Sequence, residues 1–127
     1  LTRSGQDDLL VRQIKNAWPN VFRLSRFIPA VEYIQANRIR YLVIQEMARL
    51  MDTIDVYVAP SFQGDNLLLT NLTGHPCVVL PNGFSKEGTP ASITFIGSLF
   101  DEGKLLAVAK KYQDATDFHL RHPVLKE

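Results

Sequence analysis

Residues Cys77-Val78-Val79-Leu80 are an apolar run with no polar alternation, set between Pro76 and the turn-forming Pro81-Asn82-Gly83. A strand of this composition is expected to be covered on both faces, which requires neighbouring strands and helices packed over them. The surrounding sequence supplies such partners. Ser92-Ile93-Thr94-Phe95-Ile96-Gly97 reads as the next strand, with Ile93 and Phe95 on one face, and Ser85 to Pro90 is the polar tip between the two. Asp55-Val56-Tyr57-Val58-Ala59 is a β-branched, aromatic run stopped by Pro60, hence a third strand.

The helices are read from periodicity. Over residues 26–54, Phe27, Val31, Ile34, Tyr41, Ile44, Ala48 and Met51 recur in steps of three or four, apart from one gap at Arg38. Ala30, Ile39, Met47 and Ile54 broaden that stripe, which predicts a helix of roughly seven turns covered on more than one side. Pro29 sits in its first turn, where a missing N–H costs little, and Glu32, Arg40 and Glu46 face solvent. Asp101 is the expected N-cap of a second helix over residues 101–119, carrying Leu105, Leu106, Val108, Ala109, Tyr112, Ala115 and Phe118. Before residue 26, Asp7 and Asp8 open a short amphipathic stretch ending before Pro19-Asn20, a turn signal, with Val21 to Leu24 as a connector. Leu67-Leu68-Leu69 reads as one helical turn after a loop over 61–65, and the residues after His119 as a tail. The fold class is α/β, with about three strands, a hairpin among them, packed by helices. A sheet this thin reads as part of a larger one.

Composition agrees with a globular segment: 127 residues, 46% hydrophobic and 21% charged. A net charge of +1 with scattered basic residues gives no footprint for nucleic acid or an anionic membrane. Cys77 is the sole cysteine, which excludes an internal disulfide and fits a reducing, cytoplasmic compartment. No apolar run approaches the ~18 residues of a membrane span. The start at Leu1 is not a signal peptide, and the absent initiator Met reads as an excised or processed segment.

Few residues suggest chemistry. His75, His119 and His122 have no cysteine or acidic ligand at metal spacing, so no metal is expected. Asp101-Glu102 resembles an acid/base pair, but both carboxylates fit a helix N-terminus better. Ser85-Lys86 lies in an exposed turn, where the lysine keeps its ordinary high pKa and is no base. Gly83, Gly88 and Gly97 form no phosphate-cradling motif, and Asn71-Leu72-Thr73 is a glycosylation sequon only in spelling. Thr70-Asn71-Leu72-Thr73-Gly74-His75-Pro76 has two readings: a rigid turn tied by short polar side chains, or one wall of a ligand site at the end of a sheet.

The run NLTGHPCVVLPNGF, followed by GTPASITFIGSLFDEGKLLAVAKKYQDATDFHLRHP, resembles the final part of amidase signature enzymes. The shared pattern is an Asn-Leu-(Thr/Ala)-Gly-x-Pro turn, an apolar strand ending in Pro, a hairpin, a Gly-x-x-Phe-Asp-Glu helix start and an aromatic-His-x-x-x-Pro ending. DVYVAPS at Asp55 to Ser61 matches the preceding strand, and the helix with Tyr33, Ala36, Arg38 and Arg40 the one before it. The likeness covers nearly all of residues 1–127, loosely over 1–25. It implies a carboxy-terminal segment of a larger mixed-sheet fold in a hydrolase of carboxylic amides. In that family a serine nucleophile, a second serine in a cis peptide and a lysine base do the chemistry. The Gly/Ser-rich signature and the lysine match nothing here. The resemblance therefore implies no catalytic residue and no cofactor in this chain. It implies an inactive scaffold that lines part of the cleft, with Asp65, Thr70, Asn71 and Thr73 as substrate-side candidates. The implied partners are the missing amino-terminal catalytic portion and a small amide substrate; free amides, peptides and an aminoacyl-tRNA amidotransferase role stay open. Two other readings stand beside it: a self-contained α/β interaction module, and a homodimer paired through strand edges.

Overall fold

The three strands form one antiparallel sheet in the computed structural model, which describes residues 1–62 and 64–123. They are β1 (Val56–Pro60), β2 (Cys77–Phe84) and β3 (Pro90–Gly97), in the order β1-β3-β2. Four α-helices accompany them: α1 (Trp18–Ser25), α2 (Ala30–Met51), α3 (Asn66–Thr73) and α4 (Glu102–Ala115). The chain divides into two compact units, Leu1–Ile39 and Arg40 onward, and α2 runs through both.

In the second unit β3 is the central strand. Val58 and Val78 both oppose Phe95, and Tyr57 and Cys77 both oppose Ile96. Opposed residues share a face, so Val58, Phe95 and Val78 lie on one side and Tyr57, Ile96 and Cys77 on the other. The Ile96 side packs against Met47 and Met51 of α2, with Tyr57, Ala59 and Leu69 closing around them. The Phe95 side meets α4: the Phe95 and Tyr112 rings lie 5.2 Å apart. At Gly97 the helix comes so close that an added Cβ would sit 3.0 Å from the Leu105 Cβ.

This cover is staggered. The Met47–Met51 cluster reaches β1 and β3, whereas α4 lies against β2 and β3. Each face of the sheet is left half bare. Val58 is 51% exposed on the α4 side and Val79 is 56% exposed on the α2 side, next to exposed Cys77. The apolar run that opened the sequence reading is therefore an edge strand bare on one face, not a strand covered on both.

Several local expectations are corrected. Pro81-Asn82-Gly83 does not turn the chain; β2 runs through it with an irregular register between Pro81 and Phe84. The reversal comes later, where Ser85 N–H donates to Thr89 O at 2.8 Å and Ser85 Oγ accepts from the Glu87 and Thr89 amides. Pro19 does not end a stretch but lies in the first turn of α1, where no intrahelical N–H is required. Residues 26 and 27 bond back to Arg23 and Leu24, so α2 starts only after Pro29. It is not covered on several sides, since Met47 and Met51 alone are buried in it. The last residues of the expected tail, 124–127, lie outside the described residues.

The first unit is organised by a polar hub. Arg23 is paired with Asp7, donates to Asn20 Oδ1 at 2.9 Å and gives two 3.1 Å bonds to Gln13 Oε1. Asn20 and Gln13 in turn donate to the Ile14 and Leu10 carbonyls at 3.1 and 2.6 Å.

Ile96, with no exposed surface, anchors the sheet. Ile96→Ala is expected to lower the stability of the second unit by about 2–5 kcal/mol, and Gly97→Ala by about 1–3 kcal/mol through overpacking against Leu105. Val79→Ala, at a bare position, should stay within about 0.5 kcal/mol. Amide hydrogen exchange along β3 measures all three, and equal effects of Ile96→Ala and Val79→Ala would contradict this packing.

Candidate functional site

The polar residues between Asp65 and Thr73 belong to a helix rather than a turn, because their side chains bond to its own backbone. Thr70 Oγ1 donates toward the Asn66 and Leu67 carbonyls at 3.1 and 3.2 Å, Asn71 Nδ2 to Leu67 O at 2.7 Å, and Thr73 Oγ1 to Leu69 O at 2.9 Å. Such back-bonding lets Thr and Asn sit inside a helix. Gly74 ends it in the left-handed conformation, φ 83°, with its N–H on Thr70 O. Thr70 and Thr73 are buried, one turn apart, on the inward side. Asn71 and Asp65 are exposed, and Asp65 makes no side-chain capping bond. The four candidates are thus not gathered into one polar wall.

The sequence reading missed His75, treating it as a turn residue, whereas it is 6% exposed. Its Nδ1 lies 2.8 Å from Thr73 Oγ1. Leu69 O is also within reach of the Thr73 hydroxyl, so when the hydroxyl donates there its oxygen is left to accept from an Nδ1–H tautomer of the ring. Nε2 is then a bare acceptor. Burial holds the imidazole below its ordinary pKa, which keeps it neutral. His75 lines a cleft of about 200 Å³ together with Ala48, Met51, Asp52, Ser98 and Leu99. Only the placement of His75 between a left-handed glycine and a proline hinted at this fixed position.

Other reactive types are occupied structurally. Ser61 Oγ is the hub of a hydroxyl trio, 2.8 Å from Ser92 Oγ and 2.9 Å from Thr94 Oγ1, so its partners are alcohols rather than a base. Asp101 pairs with Lys104 at 2.9 Å, and Lys104 reaches Asp55 at 2.7 Å; the two carboxylates hold the ammonium well above its usual pKa. A cleft of about 460 Å³ in the first unit is lined by Thr2, Asp7, Arg23, Arg26 and Phe27, and there the Arg23 guanidinium keeps the Asp7 carboxyl below its usual range. His119 and His122 are exposed, and no group of three metal-ligating side chains exists among the described residues. No helix among them is long and apolar enough to cross a membrane.

Comparison with known proteins gives a consistent outcome. No family model matches the chain. It is 36% identical over 115 residues to a glutamyl-tRNA(Gln) amidotransferase subunit from Bordetella avium, covering 75% of this chain and 22% of that protein. The subunit of the same name from Bordetella petrii is 38% identical over 111 residues, covering 72% and 22%. The chain thus spans about a fifth of the length of these curated relatives. A solved structure described as an amidase family protein from Bacillus anthracis matches 98% of this chain and 25% of its own, with a TM-score of 0.74 at 19% identity, a likeness of fold.

The buried neutral His75 makes stability depend on pH with a definite sign. Its folded pKa lies below the unfolded value of about 6.5, so the unfolded chain takes up the proton first and stability falls as pH drops below that value. The loss is at most about 1.4 kcal/mol per pH unit until the folded pKa is passed. The depressed carboxyls Asp7, Asp114 and Asp117 act lower, below about pH 4, in the same direction. Urea titrations between about pH 6.5 and 5 should show this slope in the native chain and a flatter one in His75→Gln; equal slopes would contradict the assignment.

Proposed function

Because the chain belongs to the amidase signature family, we propose that it is the carboxy-terminal scaffold segment of an amide-cleaving serine hydrolase. On this reading the nucleophile, the second serine and the lysine base lie upstream, and this segment supplies strands, covering helices and part of the substrate cleft. Asn71 and Asp65 contribute exposed polar groups to that cleft, with Thr70 and Thr73 behind them holding α3 in place. The relatives' name raises an amidotransferase role for the whole protein; release of ammonia from an amide uses the same acyl-transfer chemistry as simple hydrolysis.

One observation carries the reading: the amount of bare surface, with many large apolar side chains on it. A folded chain of this length exposes roughly 6,800 Å², and two separately folded pieces of these sizes roughly 8,100 Å². This chain exposes 10093 Å². Large apolar side chains such as Val31, Ile34, Tyr41, Val58, Val79 and Phe100 are among those exposed. Phe100 is especially telling. It is held in the left-handed region, φ 62°, and is 93% exposed, a conformation that costs a non-glycine residue about 1–2 kcal/mol. Phe100 lies in a turn closed by the Asp101 N–H to Ser98 O bond, and a remainder of the enzyme receiving the exposed ring would offset that strain.

The 127-residue chain should therefore show no turnover of simple aryl or aliphatic amides, while joining it to an upstream segment with a Gly/Ser-rich signature should restore it. Turnover by the chain alone would refute the reading. The strand-paired homodimer has one observation in its favour, since β1 and β2 both have an open edge. Sedimentation equilibrium with exchange on those edges separates the two: a stoichiometric dimer with protected β1 or β2 amides favours pairing between copies.

A further inference from the structure

Three acceptor features converge on the cleft beside His75. The imidazole presents an Nε2 with no partner among the described residues, and with Nδ1–H on Thr73 Oγ1 that nitrogen is an acceptor. No buried side-chain nitrogen or oxygen among them lacks a partner, so Nε2 is not fully enclosed, and His75 is one of the residues that line the cleft. The second feature is Asp52, an exposed carboxylate with no ion pair among the described residues. The third is the carboxyl end of the 22-residue α2, where the aligned peptide dipoles place negative potential. The chain's own cations near this region are engaged elsewhere: Arg49 with Glu46, Lys104 with Asp55 and Asp101, and Arg40 with the Leu72 carbonyl. Met51, Leu99 and Ala48 make the remaining wall apolar.

We propose that this cleft is a binding site for a cationic N–H donor on a short apolar stem, an alkylammonium or alkylguanidinium group. His75 Nε2 and the Asp52 carboxylate accept its hydrogen bonds, Ser98 offers a further hydroxyl, and the stem lies against Met51 and Leu99. Thr73 is the positioning residue, because its oxygen accepts from Nδ1–H in the tautomer that leaves Nε2 to the ligand. The cleft is built from this chain's second unit alone, so the site goes beyond the amidase reading and stands or falls separately from it.

The test is a titration of the nitrogen-labelled 127-residue chain with n-butylguanidinium and n-butylammonium chloride at constant ionic strength. At about pH 7.5 an imidazole with a lowered pKa is neutral. Saturable shifts at His75 Nε2 and at the Ser98 and Leu99 amides are expected, with none from tetramethylammonium, a cation without N–H donors. Asp52→Asn and His75→Phe should each weaken binding about tenfold or more, and His75→Gln, which keeps an acceptor, should weaken it less than His75→Phe. Asp52 is exposed, so Asp52→Asn keeps the test decisive even if a His75 variant misfolds. Equal response to tetramethylammonium, no saturable response, or affinity unchanged by Asp52→Asn would overturn the proposal. In a longer polypeptide containing this chain, an Arg or Lys side chain as the natural occupant gives Nε2 its bound shift beforehand and blocks the probes. A free small molecule as the natural ligand leaves Nε2 responsive. Neither behaviour there would again overturn the proposal.

Discussion

Ile96 is fully enclosed because it sits on the middle strand, under Met47 and Met51 of α2, with Tyr57 and Cys77 opposite it on either side. The remaining parts of the second unit are positioned by that arrangement. With β3 fixed, residues at even and odd positions are committed to opposite helical layers. Phe95 and Gly97 go to α4, Ile96 and Thr94 to α2 and α3. Gly97 lets α4 approach until Leu105 is in contact, which carries the following loop, Ser98 and Leu99, to the end of α2. The His75 cleft is a consequence of this packing: α2, the start of β2 and the loop after β3 meet where the central strand ends.

The strands were legible because their chemistry is local. Val56, Tyr57 and Val58 are β-branched or aromatic, and Ile93 and Phe95 alternate with polar neighbours. Coverage was not legible. Cys77-Val78-Val79-Leu80 looks the same in sequence whether or not a helix lies over it, and here Val79 is bare. The prolines misled for the same reason. Pro19 suits a first helical turn and Pro81 an edge strand, and tertiary context decides between these and a turn. At the site, Thr70, Asn71 and Thr73 carry turn-like composition yet bond back along α3. The role of His75 depends on which way one hydroxyl proton points, a detail absent from any spacing pattern.

The half-covered sheet and the family likeness support one another. A chain that matches about a fifth of its relatives' length has a physical reason to leave Val58, Val79 and the outer side of α2 bare, if those surfaces receive the remainder of the protein. The resemblance that began with NLTGHP thereby acquires structural content. Asn71 is exposed with its amide bonded back to Leu67 O, Gly74 ends the helix in a conformation that favours glycine, and His75 is held against Thr73. On the proposed reading, these features shape part of a cleft whose bond-breaking groups lie upstream.

Oxidative side-chain footprinting tests this account most directly, comparing the 127-residue chain with a longer polypeptide that carries an upstream Gly/Ser-rich signature. The account predicts that Phe100, Tyr41 and Val79, labelled freely in the short chain, become protected in the longer one, while Ile96 is protected in both. Equal labelling of Phe100, Tyr41 and Val79 in the two proteins would contradict it, because their exposure would then belong to the native surface rather than to an interface awaiting the rest of an enzyme.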